Sequence, residues 1–184
     1  MPVLRNPASP EPVTSEAPAP PGPERDALVA EVQAYLKSHH VMTVATVGDG
    51  LPQAADVFYA SDGFTLYFVS GPSTRHGANI ARQPQVAVTI HEDYDDWRQI
   101  QGLQIEGPAR LVSSKLELVK AMAVYLAKYP WARPFLASPA AISAQVARKT
   151  SGIRFYKVSP HWVRFVDNSK GFGHHEELIL AHPS

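Results

Sequence analysis

The stretch that decides the fold is residues 63–84, GFTLYFVSGPSTRHGANIARQP. Residues 64–70 follow a period of two, which predicts a β-strand, and a Gly-Pro pair ends that strand. Ser73 or Thr74 then caps a short helix, predicted over residues 75–82. The chain therefore passes within five residues from a strand end to a helix N-terminus, where backbone N–H groups lack partners.

A helix and two further strands are predicted before this stretch. Apolar residues recur at helical spacing from Leu28 to Leu36, so an amphipathic helix is expected to end near His39. Residues 41–47 and 53–60 are predicted as strands. The turns that follow them, Gly-Asp-Gly and Ser-Asp-Gly, are too short to hold crossover helices. The three strands are therefore expected to form an antiparallel meander.

Beyond residue 84 strands and helices alternate again. The predicted elements are strands over 85–91 and 100–112, a helix over 114–128, a weak helical piece over 139–148, strands over 153–158 and 162–166, and a glycine-containing tail over 168–175. The helix 114–128 is expected to carry Leu116, Val119, Ala123 and Leu126 on one face. About six strands with short turns and interspersed helices predict a mainly-β fold, a small antiparallel barrel with flanking helices.

The composition is that of one globular domain. Of 184 residues, 45% are apolar and 18% are charged, which allows a sizeable core. Lys+Arg and Asp+Glu both number 17, so no overall field favours nucleic acid or an anionic membrane. The chain lacks cysteine, which excludes disulfides, thiolate metal sites and cysteine nucleophiles. No apolar run approaches the ~18 residues of a membrane span, so we expect a cytoplasmic protein.

The first 23 residues differ from the rest of the chain. They hold eight of the 17 prolines, mixed with Ala, Ser and Glu. Such a stretch buries too little apolar surface to offset the entropy of ordering it. We therefore expect a disordered tail over 1–23 and a folded domain over 24–184. The same prolines interrupt any apolar segment of the kind a signal peptide needs.

A candidate anion site lies where the strand 64–70 meets the helix 75–82. A helix N-terminus favours anions through its free N–H groups and its dipole. Arg75 adds a planar guanidinium suited to bidentate phosphate contact, and Ser70 or Thr74 can donate a hydroxyl. An alternative stays open from the residues alone, in which Arg75 lies on an ordinary solvated helix start.

The order of these features resembles the flavin-phosphate segment of pyridoxamine-phosphate-oxidase-like proteins. Residues 66–84, LYFVSGPSTRHGANIARQP, carry the resemblance. Residues 99–112, QIQGLQIEGPARLV, resemble the next barrel strand of that family, and residues 128–130, Lys-Tyr-Pro, resemble the end of its helix. The resemblance covers about residues 36–134. It implies a six-stranded antiparallel split β-barrel that binds flavin mononucleotide (FMN) as a homodimer, with the cofactor at the subunit interface.

Carried over by position, the resemblance also implies cofactor-binding residues. Val69 and Ser70 match the pair beside the flavin ring and phosphate, and Arg75 and His76 match the basic pair on the phosphate. Residues 54–59 match the strand along the edge of the flavin ring. The implied set is Ala54, Ala55, Asp56, Val57, Val69, Ser70, Thr74, Arg75, His76 and Gln101. The resemblance implies no metal site and no particular catalytic side chain.

Several positions depart from the true oxidases. Ala54 and Tyr59 stand where the oxidases place Arg and Lys, and His76 replaces a Lys. The flavin-contacting Gln aligns with Gly102, although Gln101 is its neighbour. The C-terminal Arg-Leu-His type motif is absent. We therefore expect an uncharacterised branch that does not oxidise pyridoxamine phosphate. Each missing phosphate contact would have contributed ~1.5–3 kcal/mol to binding.

The C-terminal run 165–173, FVDNSKGFG, resembles the same uncharacterised branch. Gly171 and Gly173 allow Phe172 to project from a tight turn onto a partner subunit or the flavin, and an ordinary turn with a buried Phe is the alternative. Two functions follow from the resemblance. One is an FMN-dependent oxidoreductase that acts on an unidentified small molecule, since the flavin carries the redox chemistry. The other is a non-catalytic flavin, deazaflavin or haem binding or sensor module of the same fold.

Overall fold

The computed structural model describes residues 22–137 and 152–181. Its helices are α1 (Pro23–Ser38), α2 (Arg75–Arg82), α3 (Lys115–Lys128) and α4 (Arg133–Ala137). Its strands are β1 (Val41–Gly48), β2 (Leu51–Asp62), β3 (Thr65–Ser70), β4 (Gln85–His91), β5 (Gln101–Leu111), β6 (Arg154–Val158), β7 (Trp162–Asp167) and β8 (His175–Ile179). None of the helices in the described ranges is long and apolar enough to cross a membrane.

Six strands close into an antiparallel barrel. They are hydrogen-bonded in the order β4-β1-β2-β3-β6-β5, and β4 pairs with β5 to complete the ring. β7 and β8 extend the sheet outward from β5. Closure leaves the six barrel strands without a free edge. The predicted six-stranded split barrel with flanking helices is thereby confirmed.

The two longest barrel strands, β2 and β5, each change their hydrogen-bonded partner partway along and so belong to both halves of the barrel. β2 pairs with β1 up to Phe58 and with β3 from Tyr59 onward. β5 pairs with β4 up to Pro108 and with β6 from Ala109 onward. At this change of partner a Cβ on Gly107 would lie 2.4 Å from the Ser159 carbonyl oxygen, so only glycine allows the close approach.

The core fills the barrel because side chains along each strand alternate between its interior and its outside. In β4, Val86, Val88 and Ile90 are buried while the residues between them are exposed. α1 contributes Val32 and Leu36 to the same cluster. The outer face of β3 and β6 is covered instead by α3, which forms a second cluster.

α3 turns a different face to the protein than its sequence pattern suggests. Ala121 and Tyr125 are its buried residues, packed in the second cluster. Two residues of the apolar pattern, Leu116 and Val119, are 82% and 67% exposed. Tyr125 accounts for the orientation, since its large ring packs against the Phe155 ring at a centroid distance of 5.7 Å. Part of the expected apolar face therefore has no partner among the residues that the structure describes.

Most other elements agree with the sequence predictions to within a few residues. Thr74 and Ser114 are the N-caps of α2 and α3, and their side chains accept bonds from the amides of Gly77 and Glu117. The strand β8 was missed, since the predicted tail ended at its first residue, His175. Among the described strands β8 pairs only with β7 and buries only Leu178, so its hydrophobic pattern is weak. The predicted helix over 139–148 and the predicted tail up to residue 21 lie outside the described residues.

Candidate functional site

The site begins where α2 meets the loop that follows β3. α2 packs against β1, β2 and β5, and the Asn79 amide donates to the Thr46 hydroxyl at 3.1 Å. A Cβ on Gly77 would lie 2.6 Å from the Gly71 carbonyl oxygen. The N-terminal turn of α2 is thus held directly against the backbone of the loop, and the absence of a side chain at Gly77 permits this contact.

Three of the predicted residues come together at this point. The Ser70 hydroxyl oxygen lies 2.6 Å from His76 Nε2 and 3.3 Å from the Thr74 hydroxyl. Burial lowers the pKa of His76 below its ordinary value. The imidazole is therefore neutral at pH 7 and offers a hydrogen bond without a full positive charge. A positive charge at this helix start has to come from another residue.

Arg75 supplies such a charge. Its side chain is exposed, and it forms no ion pair or hydrogen bond with any residue in the ranges 22–137 and 152–181. Within the same ranges the backbone amides of Arg75 and His76 have no acceptor, because the first bonds of the helix run from Gly77 and Ala78 to Thr74. An unpaired guanidinium therefore stands beside free amides at the positive end of a helix dipole.

β6 adds two groups that the sequence analysis did not identify. Ser70 pairs with Arg154 and Phe68 with Tyr156, so the side chains of Arg154 and Tyr156 lie on the same face as Ser70. Arg154 donates to the adjacent Ile153 carbonyl and has no acidic partner among the described residues. The Tyr156 hydroxyl lies 3.0 Å from the position of a Cβ on Gly77.

These two groups complete a small polar cluster. We call it the β3–α2 cradle; its residues are Ser70, Thr74, Arg75, His76, Arg154 and Tyr156. Arg154 and Tyr156 follow Ser70 by more than 80 positions in the chain, so only the register of β3 with β6 brings them to it. The sequence predicted the strand β6 that carries them, but did not predict that β6 pairs with β3.

The remaining predicted residues lie outside the cradle. Val69 faces the opposite side of β3 and packs in the cluster under α3. Ala54 and Asp56 are exposed on the outer face of β2, where Asp56 accepts a hydrogen bond of 2.6 Å from Thr43. Ala55 and Val57 pack against the barrel core.

Gln101 lies at the opposite end of the barrel from the cradle. It begins β5, and its side-chain amide donates to the buried Asp167 at 3.1 Å. The end of β5 that reaches β6 near the cradle is Leu111, ten residues further along the strand. Within one chain Gln101 and Arg75 therefore do not face a common ligand.

The C-terminal turn presents Phe172 to solvent. Gly171 and Gly173 have positive φ angles of 139° and 72°, and the Phe172 side chain between them is 84% exposed. Its ring meets the Trp97 ring edge to face at a centroid distance of 5.3 Å. Asn168 fixes the turn by donating to the Trp97 carbonyl and accepting from the Gly173 amide. The projecting Phe is confirmed, and the alternative of a buried Phe is wrong.

Tyr59, at one position where the oxidases carry a basic residue, has a cation above its ring. The side chain of Tyr59 is wholly buried and its hydroxyl donates to the Leu36 carbonyl at 2.9 Å. The Lys128 ammonium lies 4.3 Å from the centre of that ring and donates to the carbonyls of Leu36 and His39 at the end of α1. Burial lowers the pKa of Lys128 to about 8.

The donor groups of the cradle are of the kind that binds a phosphate group. They are two guanidinium groups, free amides and hydroxyls. Arg154 supplies a positive charge that was not predicted from the sequence, while the neutral His76 supplies none. The donor set is thus smaller than that of the oxidases but includes two cations without acidic partners among the described residues.

A substitution at Gly77 tests whether the cradle depends on this packing. In Gly77→Ala the new methyl group would lie within 3.0 Å of Gly71, Thr74 and Tyr156 atoms. We expect a loss of about 1–3 kcal/mol in the free energy of unfolding, measured by denaturant titration. Ala78→Gly on the exposed face of α2 is the control, with a loss of at most about 1 kcal/mol. An unchanged stability of Gly77→Ala would show that the loop moves freely away from α2.

Comparison with known proteins agrees with this architecture. A UPF0306 protein from Photorhabdus laumondii is 28% identical over 145 residues, which cover 77% of this chain and 89% of the relative. Another, from an Enterobacter species, is 26% identical over 147 residues, covering 79% and 92%. A solved haem-binding protein from Mycobacterium smegmatis superposes with a TM-score of 0.63 at 22% identity, over 82% of this chain and 57% of that longer chain.

The chain also matches a defined sequence family. The profile of the pyridoxamine 5'-phosphate oxidase family matches residues 28–167, which include the whole barrel, α2 and the cradle. Together with the closed six-stranded barrel, this match shows that the chain belongs to the pyridoxamine 5'-phosphate oxidase family.

Proposed function

We propose that this protein binds FMN through the β3–α2 cradle and acts as a flavin-dependent oxidoreductase on a small molecule. The observation that carries the proposal is the pair of guanidinium groups, Arg75 and Arg154, beside the free N-terminal amides of α2. Neither arginine has an acidic partner among the described residues, so both are available to a dianionic phosphate.

Different residues of the cradle would contact the phosphate from different sides. Arg75 offers a bidentate contact from solvent, and Arg154 approaches from β6 on the Ser70 side. The amides of Arg75 and His76 donate along the helix axis. His76 is neutral and tied to Ser70, so it positions the serine hydroxyl and adds no charge.

The proposed active form is a homodimer. Gln101 and the cradle lie too far apart in one chain to contact one flavin, so both can serve it only if a second copy contributes one of them. Exposed apolar side chains are available for such an interface. They are Leu116 and Val119 on α3, and Phe58 and Trp131, which are 47% and 56% exposed.

FMN supplies the hydride or electron chemistry when it is bound, so the protein needs few reactive side chains of its own. The described residues around the cradle are consistent with a protein that only binds the flavin and leaves the redox chemistry to it, because they offer hydrogen bonds and positive charge. The role left to this chain is to bind the phosphate, fix the ring against β2, and exclude water. The alternative is a flavin-binding module without catalytic activity. A measurement of turnover distinguishes it from the oxidoreductase.

The visible absorption spectrum of the purified protein tests the proposal. We expect the two bands of bound flavin and release of FMN on denaturation, measured by fluorescence of the supernatant. If the purified protein is colourless, titration with added FMN should restore the bands with a stoichiometry of one per chain. A chain that takes up no FMN at any concentration contradicts the proposal. Reduction of the bound flavin by NADPH or NADH, followed optically, then tests turnover.

The oligomeric state is measured on the same sample. Sedimentation equilibrium should give twice the chain mass of 20.1 kDa. A monomer that binds FMN fully would contradict the shared site and confine the cofactor to one chain.

A haem-binding module of the same fold is the second candidate. The likeness to the haem-binding protein from Mycobacterium smegmatis favours it. Haem iron is held by one or two axial side chains, most often histidine, so a haem would need an accessible histidine of this chain. A Soret band in the same spectrum, in place of the flavin bands, identifies this case.

A further inference from the structure

A second polar pocket lies on the opposite side of β3 from the cradle. It has a volume of about 310 Å³ and is formed by the start of β3, the N-terminus of α3 and the end of β6. Tyr67 and Thr65 line it, while Ser70 ends the same strand and faces the barrel mouth. The pocket is therefore separate from the proposed flavin site.

Almost every lining residue carries a polar side chain. Hydroxyl groups come from Thr65, Ser114 and Ser159, and ammonium groups come from Lys120 and Lys157. Leu116 is the only lining residue without a polar side-chain atom. A pocket of this composition suits a small polar ligand, because an apolar ligand would leave these groups without hydrogen bonds.

Tyr67 is the clearest sign that a ligand belongs there. The ring of Tyr67 is buried, with 1% of the residue exposed, and its hydroxyl opens into the pocket, where it has no hydrogen-bond partner among the described residues. Burial raises the pKa of Tyr67, so the hydroxyl remains protonated and acts as a donor. Buried phenol groups normally find an acceptor, and here the open space in front of the hydroxyl is the pocket.

The hydrogen-bond donors of the pocket suit an anion. Lys120 is 2.5 Å from Asp62, and Lys157 is paired with Glu117, so the two lysines and their carboxylates carry no net charge. Each ammonium has three N–H donors and uses one on its carboxylate, which leaves donors for a ligand. The positive end of the α3 dipole, at Ser114, adds to them.

From this geometry we infer a binding site for a small oxyanion, a phosphate or carboxylate group of a metabolite. The anion accepts from the Tyr67 hydroxyl and from Lys120 and Lys157, and the α3 N-terminus faces it. The Lys157–Glu117 pair holds one ammonium at the wall, and the more exposed Lys120 closes over the ligand from solvent.

Amide NMR of the full-length protein locates the site directly. Titration with inorganic phosphate at constant ionic strength should shift the amides of residues 114–117 along a saturable curve. Because phosphate also suits the cradle, the titration is made in Arg75→Ala. Malonate, titrated in parallel, separates phosphate from carboxylate ligands. Saturation by either anion supports the site and names its class.

Two variants assign the binding to these side chains. Tyr67→Phe keeps the buried ring and removes one donor, so affinity should fall about three- to tenfold. Lys120→Gln removes a surface charge and should weaken binding by a similar factor. Arg98→Gln, an exposed arginine just before β5 and at the other end of that strand from the pocket, is the matched control and should leave the affinity unchanged. The inference is overturned if neither anion shifts residues 114–117, or if Tyr67→Phe and Lys120→Gln both bind as tightly as their parent.

Discussion

Replacing Arg75 by alanine is expected to weaken FMN binding at least tenfold. Each charge-assisted phosphate contact contributes about 1.5–3 kcal/mol, and 1.4 kcal/mol is one factor of ten in affinity. The Arg75 side chain is exposed and has no partner to lose among the described residues, so its removal should leave the fold intact. Affinity is measured by quenching of FMN fluorescence on titration with protein.

A second substitution, at Arg154, tests whether both arginines contact the phosphate. Arg154→Ala alone should cost a similar factor, and the double variant should lose roughly a hundredfold if the two contacts are independent. A smaller loss in the double variant would mean that both arginines hold one phosphate oxygen in common. The double-mutant cycle therefore measures how the cradle shares the phosphate between α2 and β6.

Arg82→Ala is the matched control for these variants. Arg82 ends the same helix, and its pair with Asp49 at 2.6 Å is largely exposed, so it contributes little to stability. We expect its FMN affinity to equal that of the parent. If Arg75→Ala and Arg82→Ala bind FMN equally well, Arg75 is an ordinary surface residue and the phosphate proposal fails.

The sequence predicted the local parts of this site and missed the parts that depend on register. The strand end at Ser70, the cap at Thr74 and the helix start at Arg75 follow from short-range signals. Arg154 joins them only through the pairing of β6 with β3, which connects distant parts of the chain. A strand pattern shows which residues share a face, but does not identify the neighbouring strand.

α3 shows a second limit of the sequence pattern. Leu116 and Val119 satisfy helical periodicity as well as any core residues, yet they are exposed, and Tyr125 is buried. Periodicity finds an apolar stripe, whereas the space available between α3 and β3 decides which stripe is buried. An apolar stripe left outside one chain is the feature expected of a subunit interface, which the pattern alone cannot distinguish from a core.

The buried ammonium of Lys128 predicts an unusual pH dependence of stability. Its pKa is lowered by burial from 10.5 to about 8 in the folded protein. Between these values the unfolded chain holds a proton that the folded chain has released, so the free energy of unfolding rises with pH. The gain is about 1 kcal/mol between pH 8 and pH 10, after allowance for solvent screening of a partly exposed group.

Buried tyrosines set the pH above which stability stops rising. Burial raises the pKa of Tyr59, Tyr125 and Tyr129 in the folded state, to about 12 for Tyr125. From about pH 9 upward the unfolded chain loses phenol protons that the folded chain keeps, so stability falls again. Because three tyrosines outweigh the single lysine before pH 10 is reached, the profile should pass through a maximum near pH 9. Denaturant titrations at half-unit intervals from pH 7 to pH 11 measure it.

Lys128→Met separates the lysine from the tyrosines. Methionine keeps most of the apolar stem and removes the ammonium, so the rise above pH 8 should disappear while the fall above about pH 9 remains. Lys37→Met, an exposed lysine in the last turn of α1, is the control and should keep the rise. A rise that persists in Lys128→Met would show that another group titrates. A flat parent profile would mean that the carbonyls of Leu36 and His39, with the Tyr59 ring, stabilise the charged form enough to offset its burial.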